Sequence, residues 1–497
     1  MPASKAVHDP LSTDHLHGDL KGRSVRGGAV ALSSQGTQFV IQTVSTVTLA
    51  RLLDPSDFGI VAMVAAITGL GMAFGDFGLS EATIQRKHIT HEQISALFWI
   101  NVAVGAGLTL LTVGLAPLLA WAYSEPRLLP VAMVSSLAFL INGFRTQSDA
   151  LLKRQMRYAA LAFKDIVANA VSVIVAVVLA WRGGGYWALV SVPLSANSCH
   201  VLLSWLMVKW RPGRPRRSTD VRPMVAFGGR VAASYFIYNL NRSVDQALIG
   251  WYWKATPLGL YSRACNLLML PVRLINTPIA AIAIPALSRV NSDPLRYARY
   301  YLSTARLLMW IVGPIFGFLF VAAEPVVLLM LGPKWLEAVP VFRILSVTGP
   351  AQVLLESTVW VLVSRGQSDR LLRLWLFVSP VIIGSFALGL PFGIKGVALS
   401  YSIVFLALLP PILRFTFKET QLTLESLGEV LRYPILVSVA GALCASLASH
   451  WLLPTTLLSQ FVVLSAGFAT GCLLATLLHP VRHEIMTFRE LFAELRP

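Results

Sequence analysis

Two apolar stretches of the chain, 200 positions apart, carry polar residues at the same spacing. The first stretch has polar residues at steps of four, four and three, namely Ser34, Gln38, Gln42 and Ser45. The second stretch repeats these steps with Ser234, Tyr238, Arg242 and Asp245. Positions three and four apart share one face of an α-helix, so each stretch predicts a helix with a polar stripe.

Composition places these helices in a membrane. The chain has 497 residues, of which 55% are hydrophobic and 13% are charged, and its mean hydropathy is +0.66. Such a chain is too apolar for a set of soluble domains. Long apolar runs separated by short charged loops predict about 14 membrane-spanning helices. The expected fold is therefore an all-α integral membrane protein.

The distribution of charge predicts the orientation of the chain. The formal net charge is +17, and the basic residues concentrate in alternate loops, most densely in residues 209–223. Because cytoplasmic loops of membrane proteins are enriched in Lys and Arg, this alternation predicts that both termini are cytoplasmic. It also accounts for the positive charge without nucleic acid, which we do not expect as a partner.

The two polar stripes mark two halves of the chain. Flanking residues match as well, since Gly28 and Gly59 have counterparts in Gly228 and Gly259. We expect two six-helix lobes, related as parallel repeats and able to hold a polar cavity, so transport is the first hypothesis. The predicted segments are a cytoplasmic tail (1–27), an N-lobe (28–208), a basic linker (209–223), a C-lobe (224–416), helices 13 and 14 with the preceding loop (417–478), and a cytoplasmic tail (479–497).

Charged residues inside membrane spans are costly and usually turn inward. Helical spacing predicts two ion pairs, Arg145 with Asp149 and Arg242 with Asp245. Arg273 lies near the middle of its predicted span without an acid three or four positions away, so we expect it to face water or an anion. These features predict an anionic ligand.

The remaining ionisable residues carry less specific predictions. Asp76, Asp245 and Glu356 are candidates for coupling transport to a proton or a sodium ion. Snorkelling or a structural ion pair is expected for the cations near span ends: Lys164, Arg230, Arg263, Arg306 and Arg343. The sequence has no P-loop motif, and we identify neither a metal-ligand cluster nor a catalytic triad in it. We therefore expect no enzyme activity and no bound cofactor or metal.

Three segments carry a family likeness. Residues 49–59 read Leu-Ala-Arg-Leu-Leu-Asp-Pro-Ser-Asp-Phe-Gly, residues 75–79 read Gly-Asp-Phe-Gly-Leu, and residues 331–335 read Leu-Gly-Pro-Lys-Trp. With these segments the chain resembles the Wzx-type flippases. These are the polysaccharide transporter branch of the superfamily that includes multidrug and toxin extrusion proteins and the lipid II flippase. The resemblance extends over residues 24–480.

The resemblance implies that the protein moves an undecaprenyl-diphosphate-linked oligosaccharide to the outer leaflet by alternating access, for exopolysaccharide or lipopolysaccharide export. A diphosphate needs cations, and sugars need amides and hydroxyls. The candidate substrate-binding residues are Gln38, Gln42, Ser45, Arg145, Asn239, Arg242 and Arg273. The implied location is the bacterial cytoplasmic membrane. The implied partners are membrane lipid and the polysaccharide polymerase and glycosyltransferases of the same pathway.

Two other functions stay open at this point. A cation-coupled multidrug antiporter would share the fold, but basic residues outnumber acidic ones in the inner spans, which disfavours cationic substrates. A membrane polysaccharide polymerase would need a sizeable external segment or an intramembrane acid and base. The outer loops are short, which counts against this second alternative.

Overall fold

The computed structural model describes residues 20–75, 78–86, 89–208, 210–214, 221, 224–225, 228–229, 232, 243–478 and 481. Within these ranges the regular secondary structure is helical, and no β-strand occurs in them. The helices of the first part are α1 (Leu20–Leu52), α2 (Pro55–Gly75), α3 (Leu79–Gln85), α4 (His91–Tyr123), α5 (Leu128–Arg154), α6 (Tyr158–Trp181), α7 (Tyr186–Met207) and α8 (Val244–Trp253). Those of the second part are α9 (Ala255–Arg289), α10 (Pro294–Val321), α11 (Ala323–Leu331), α12 (Ala338–Ser346), α13 (Gly349–Ser364), α14 (Ser368–Gly389), α15 (Gly393–Phe417), α16 (Leu424–Leu452) and α17 (Leu457–Leu477).

Many of these helices are long and apolar enough to cross a membrane. Counting the described residues alone, eight stretches qualify, and two bent helix pairs raise the number to 10. One stretch, Ser368–Phe417, has 50 residues and is therefore more than twice the ~20 that one crossing requires. The prediction of an all-helical, multi-pass membrane protein is confirmed, whereas the predicted number of spans stays a prediction.

In both bent pairs, two helical segments meet at an angle. Helix α9 contains three prolines, Pro271, Pro278 and Pro285, each of which removes a backbone hydrogen bond. The two parts of α9 meet at a bend of 41° immediately before Pro278. Helices α12 and α13 meet at a bend of 52°.

Several helices begin at a reciprocal hydrogen-bonded cap. Before α4, Thr90 Oγ1 accepts a hydrogen bond from Gln93 N–H at 3.2 Å, and Gln93 Oε1 accepts one from Thr90 N–H at 3.1 Å. Helices α16 and α17 begin with the same arrangement at Thr423 and Thr456. Each cap satisfies N–H groups that the start of a helix leaves unpaired, so these sequences fix where the helices begin.

Helices α4 and α5 pack backbone to backbone through glycines. A Cβ atom on Gly105 would lie 2.5 Å from the carbonyl oxygen of Phe139, and one on Gly143 would lie 2.7 Å from that of Asn101. Small residues allow such close approach, which favours helix association in lipid. This contact positions α5, which carries part of the site described below.

The chain divides into two compact units, Met1–Gly259 and Leu260–Pro497. In the first unit, an apolar cluster at the start of α4 and beyond the end of α7 includes the buried Phe98 and Trp210. In the second unit, a buried apolar cluster is formed by α13, α14 and α15 and includes Leu362 and Phe405. The lobe boundaries drawn from the sequence stay a prediction.

Two glycines matched by the sequence comparison contact each other's helices within the first unit. A Cβ atom on Gly59 would lie 1.7 Å from the carbonyl oxygen of Ala255, and one on Gly259 would lie 1.8 Å from that of Pro55. The start of α2 therefore packs against the start of α9 in a reciprocal contact. Neither glycine can be replaced by a larger residue unless the backbone moves.

Candidate functional site

Ionisable and polar side chains from three consecutive helices meet inside the first unit. We call this group the α5–α7 charge cluster. Its members are Arg145 and Asp149 on α5, Lys164 and Asp165 on α6, and Asn197, His200 and Ser204 on α7.

Asp149 is the centre of the cluster. Its carboxylate accepts hydrogen bonds from Arg145 Nε at 2.7 Å and from Ser204 Oγ at 2.8 Å, and it forms an ion pair with Lys164. The predicted pair of Arg145 with Asp149 is confirmed. Lys164 is fully buried and ion-paired, so it does not snorkel to an interface. Asp149 thus compensates two cations, and removing it would take away the carboxylate that both of them share.

A second carboxylate completes the charge balance. Asp165 Oδ1 lies 3.9 Å from Lys164 Nζ and 3.6 Å from His200 Nδ1. Two cations and two carboxylates therefore face one another, and the cluster has no net charge while His200 is neutral. This differs from a purely cationic site, because each positive charge has a partner.

Arg145 is the cation of the cluster with an accessible edge. Its Nη1 donates a hydrogen bond to Asn197 Oδ1 at 3.0 Å, and 29% of its side chain is accessible. Its Nη2 donates no hydrogen bond to any residue that the structure describes. A guanidinium fixed on one side and open on the other can bind a phosphate oxygen.

The helical register explains why these residues meet. Asp149 lies five residues before the end of α5 at Arg154, and Lys164 lies six residues after the start of α6 at Tyr158. His200 lies seven residues before the end of α7. At ~1.5 Å per residue, these separations are roughly 8–11 Å, measured from the C-terminal ends of α5 and α7 and from the N-terminal end of α6, which lie on the same side because consecutive helices run in opposite directions. The sequence analysis did not identify Asp165, Asn197, His200 or Ser204. A comparison of how many residues separate each ionisable residue from the end of its predicted helix would have identified Asp165 and His200.

The polar stripe of α1 is partly paired. Gln38 Nε2 donates to Ser34 Oγ at 3.0 Å, and Gln38 Oε1 accepts from Asn169 Nδ2 of α6 at 3.5 Å. Ser45 is half-buried and Gln42 is exposed. The stripe thus contributes amides and hydroxyls on the α6 side of the same unit.

The other predicted site residues are not brought into this cluster. Asp245 is half-buried at the start of α8, where its Oδ1 accepts a hydrogen bond from Gln246 N–H at 2.7 Å. In the second unit, Arg273 is exposed on α9 and Glu356 is half-buried on α13. Three predicted residues lie outside the described residues: Asp76, Asn239 and Arg242. The pair of Arg242 with Asp245 therefore stays a prediction.

The acids and histidines of the cluster do not form a metal centre. Within the described ranges, no group of three or more His, Cys, Asp or Glu side chains could hold a metal ion. The chemistry available at the cluster is hydrogen bonding, ion pairing and proton exchange.

Comparison with known proteins gives the family. The sequence model described as "Polysaccharide biosynthesis protein" matches residues 48–340, which is more than half of the chain. The chain belongs to this family. It is 25% identical to the teichuronic acid biosynthesis protein TuaB of Bacillus subtilis over 66% of its own length and 69% of that protein. It is 24% identical to the lipopolysaccharide biosynthesis protein WzxC of Escherichia coli over 76% of its own length and 79% of that protein.

The fold also has a solved counterpart. The structure resembles that of the lipid II flippase MurJ in its inward closed conformation, with a TM-score of 0.70 at 12% sequence identity. The match covers 90% of this chain and 99% of MurJ. The expected membership of the Wzx-type polysaccharide transporters is confirmed. Family and fold are those of transporters and flippases rather than of enzymes.

Proposed function

We propose that the protein flips undecaprenyl-diphosphate-linked oligosaccharide repeat units across the bacterial cytoplasmic membrane by alternating access. Three findings support this proposal: the family, the relatives that act in polysaccharide biosynthesis, and the likeness of the fold to a lipid II flippase. The products would serve exopolysaccharide or lipopolysaccharide export. The polymerase and glycosyltransferases of the same pathway would be its partners.

One observation of this molecule carries the proposal. Arg145 is held inside a membrane-spanning helix by Asp149 and Asn197, and the edge of its guanidinium stays accessible. A fixed cation within a span is suited to the diphosphate that links the lipid to the sugar. The amides of Gln38 and Asn197 in the same unit are suited to the hydroxyl groups of a sugar.

We assign further substrate contacts to the remaining predicted residues. Gln42 and Ser45 on α1, together with Asn239, Arg242 and Arg273, would complete the binding site. Asp76, Asp245 and Glu356 would be candidates for a coupling proton or sodium ion. Moving one net negative charge outward is favoured by about 2.3 kcal/mol per 100 mV of inside-negative potential, so the forward step does not require ATP.

The architecture in this proposal is the one expected from sequence. It has two six-helix lobes related as parallel repeats, with residues 28–208 and 224–416 in the lobes, and two further helices before residue 478. The reciprocal contact of Gly59 and Gly259 supports the repeat, because the contacting residues are those matched by sequence.

Export in cells tests the proposed site. We expect Arg145→Ala, Arg242→Ala and Arg273→Ala to leave the protein inserted in the membrane and to stop lipid-linked sugar from reaching the outer leaflet. Arg182→Ala, which changes an exposed arginine at the end of α6, serves as the matched control and should export normally. Normal export by all three site variants would reject the site assignment.

Ion coupling has a separate test. If a proton or sodium gradient resets the transporter, an ionophore should slow repeated flipping in sealed vesicles. A flip rate that is indifferent to the ionophore would reject coupling while leaving the flippase function intact.

A further inference from the structure

His200 is a buried base beside an acid that the proposed binding site does not use. It is 7% exposed, and its Nδ1 has no hydrogen-bond partner among the described residues. Asp165 Oδ1 lies 3.6 Å from this Nδ1 atom. An imidazole facing a carboxylate in a buried setting is a place where a proton can be held.

The surrounding charges come from two helices. Lys164 lies beside Asp165 on α6, and its Nζ is 3.9 Å from Asp165 Oδ1. Arg145, Asp149 and Lys153 act on the pair from α5.

The other helices packed against α6 and α7 contribute no described charge near the pair. Helix α2 has one charged residue, Asp57, which lies beside Gly185 at the opposite end of α7. The charged residues of α1 lie near its two ends, and the hydrogen bond that α1 makes with α6 joins two neutral amides, those of Gln38 and Asn169. The titration of the pair is therefore governed by the α5–α7 charge cluster together with Lys153 of α5.

Charge counting links this proton to an anion. While His200 is neutral, the charges of the two cations and two carboxylates of the cluster sum to zero. An added proton therefore gives the cluster a net charge of +1. Asp165 and Asp149 stabilise that proton, whereas burial of His200 and the charges of Arg145 and Lys164 oppose it. An anion bound at the open edge of Arg145 would offset these cations and would stabilise the protonated pair.

We propose that Asp165 and His200 bind one proton and that this proton is taken up when a diphosphate binds at Arg145. The inference rests on the proposed function and adds a proton site to it. Linkage is reciprocal, so the proton strengthens diphosphate binding by the same factor as the diphosphate strengthens proton binding. One linked proton changes the affinity by up to about tenfold per pH unit.

The test uses the purified full-length protein and dimethyl diphosphate, a soluble diester whose charge does not change near neutral pH. Calorimetric titration in buffers of different ionisation enthalpy gives the number of protons taken up per diester bound. We expect uptake approaching one proton at a pH where the free pair is unprotonated, with binding that tightens as the pH falls.

Two variants separate the members of the pair. His200→Gln should bind the diester without proton uptake and with an affinity that does not depend on pH. Asp165→Asn removes one negative charge, so it should bind at least as tightly as wild type at high pH, also without uptake. His450→Gln changes an exposed histidine of α16 and should leave proton uptake unchanged.

Histidine resonances of the wild-type protein keep the test decisive if a variant fails to fold. Carbon-13 labelling should show one buried histidine whose titration moves to higher pH when the diester is added. The proposal is overturned by diester binding without proton uptake, by uptake that both variants retain, or by the absence of diester binding. Flipping measured in parallel in sealed vesicles judges the proposed function separately, because flipping without proton uptake rejects this inference alone.

Discussion

Helices α5–α7 and α13–α15 occupy corresponding places in the two halves predicted from sequence, and their interiors differ. In α5–α7, a carboxylate, a lysine and a histidine are buried at one depth. In α13–α15, the buried cluster is apolar, and none of the charged side chains that the structure describes in these three helices is buried. Charges cost more than apolar side chains inside a membrane, so the buried charges of α5–α7 support the placement of the proposed site there rather than in α13–α15.

Hydroxyl groups, rather than ions, form the buried polar contacts of α13. Tyr301 of α10 hydrogen-bonds Ser357 of α13 at 2.8 Å, and Tyr297 of α10 hydrogen-bonds Ser364 at 2.9 Å. Neutral hydrogen bonds of this kind fix helix positions without a charge to compensate. This difference supports the proposed binding site on α5–α7, whereas α13–α15 are joined by apolar and hydroxyl contacts.

The largest expected effect comes from breaking the ionic centre. Asp149→Ala leaves Arg145 and Lys164 without their shared carboxylate, and we expect a loss of about 3–5 kcal/mol in the free energy of unfolding. Denaturant unfolding in detergent measures it. The control, Asp369→Ala at the exposed start of α14, should change stability by no more than about 0.5 kcal/mol. Equal effects at the two positions would contradict the comparison.

The one place where the halves should respond alike is the reciprocal glycine contact. Gly59→Ala and Gly259→Ala each bring a methyl group onto a carbonyl oxygen, so we expect a similar loss of about 1–3 kcal/mol for each. Gly114→Ala, where a Cβ atom has no neighbour within 4 Å, is the control and should not destabilise the protein. A large effect at only one of the two matched glycines would argue against a shared contact.

A smaller effect is expected on the packing side. Tyr301→Phe removes the hydrogen bond to Ser357, whose hydroxyl still donates to the carbonyl oxygen of Leu354 at 2.6 Å. We expect a loss of about 0.5–1.5 kcal/mol, measured by the same unfolding experiment. A loss of unfolding free energy as large as that of Asp149→Ala would contradict the difference drawn between the two sets of helices.

The smallest effect is expected where an ion pair lies outside the spans. In the loop between α4 and α5, Arg127 donates to Glu125 at 2.8 Å, and this hydrogen bond lowers the pKa of Glu125. A lowered folded-state pKa contributes stability above the unfolded pKa, near 4.3, and the contribution is lost as the pH falls through the folded value. We expect less than about 1 kcal/mol, since Arg127 is half exposed. Unfolding of wild type and Glu125→Gln should converge at low pH, and a difference that grows on acidification would contradict this sign.

Much of the fold and part of the site could be predicted from the sequence. The length of the apolar runs predicted membrane-spanning helices, and the four-residue spacing predicted the ion pair of Arg145 with Asp149. Both predictions depend only on residues that are close in sequence. Lys164 and His200 joined that pair through tertiary packing of α6 and α7, which spacing within one helix cannot reveal. The exposure of Arg273 and the partial pairing of Gln38 likewise depend on the neighbours of each helix.

Flipping by the purified protein in sealed vesicles tests the central claim most directly. The vesicles would carry undecaprenyl-diphosphate-linked oligosaccharide in one leaflet, and an impermeant sugar-cleaving enzyme would report its arrival in the other. We predict flipping without ATP by wild type and by Arg127→Ala, and a rate at least about tenfold lower for Arg145→Ala. A wild-type rate no higher than in protein-free vesicles, or equal rates for Arg145→Ala and Arg127→Ala, would contradict the account.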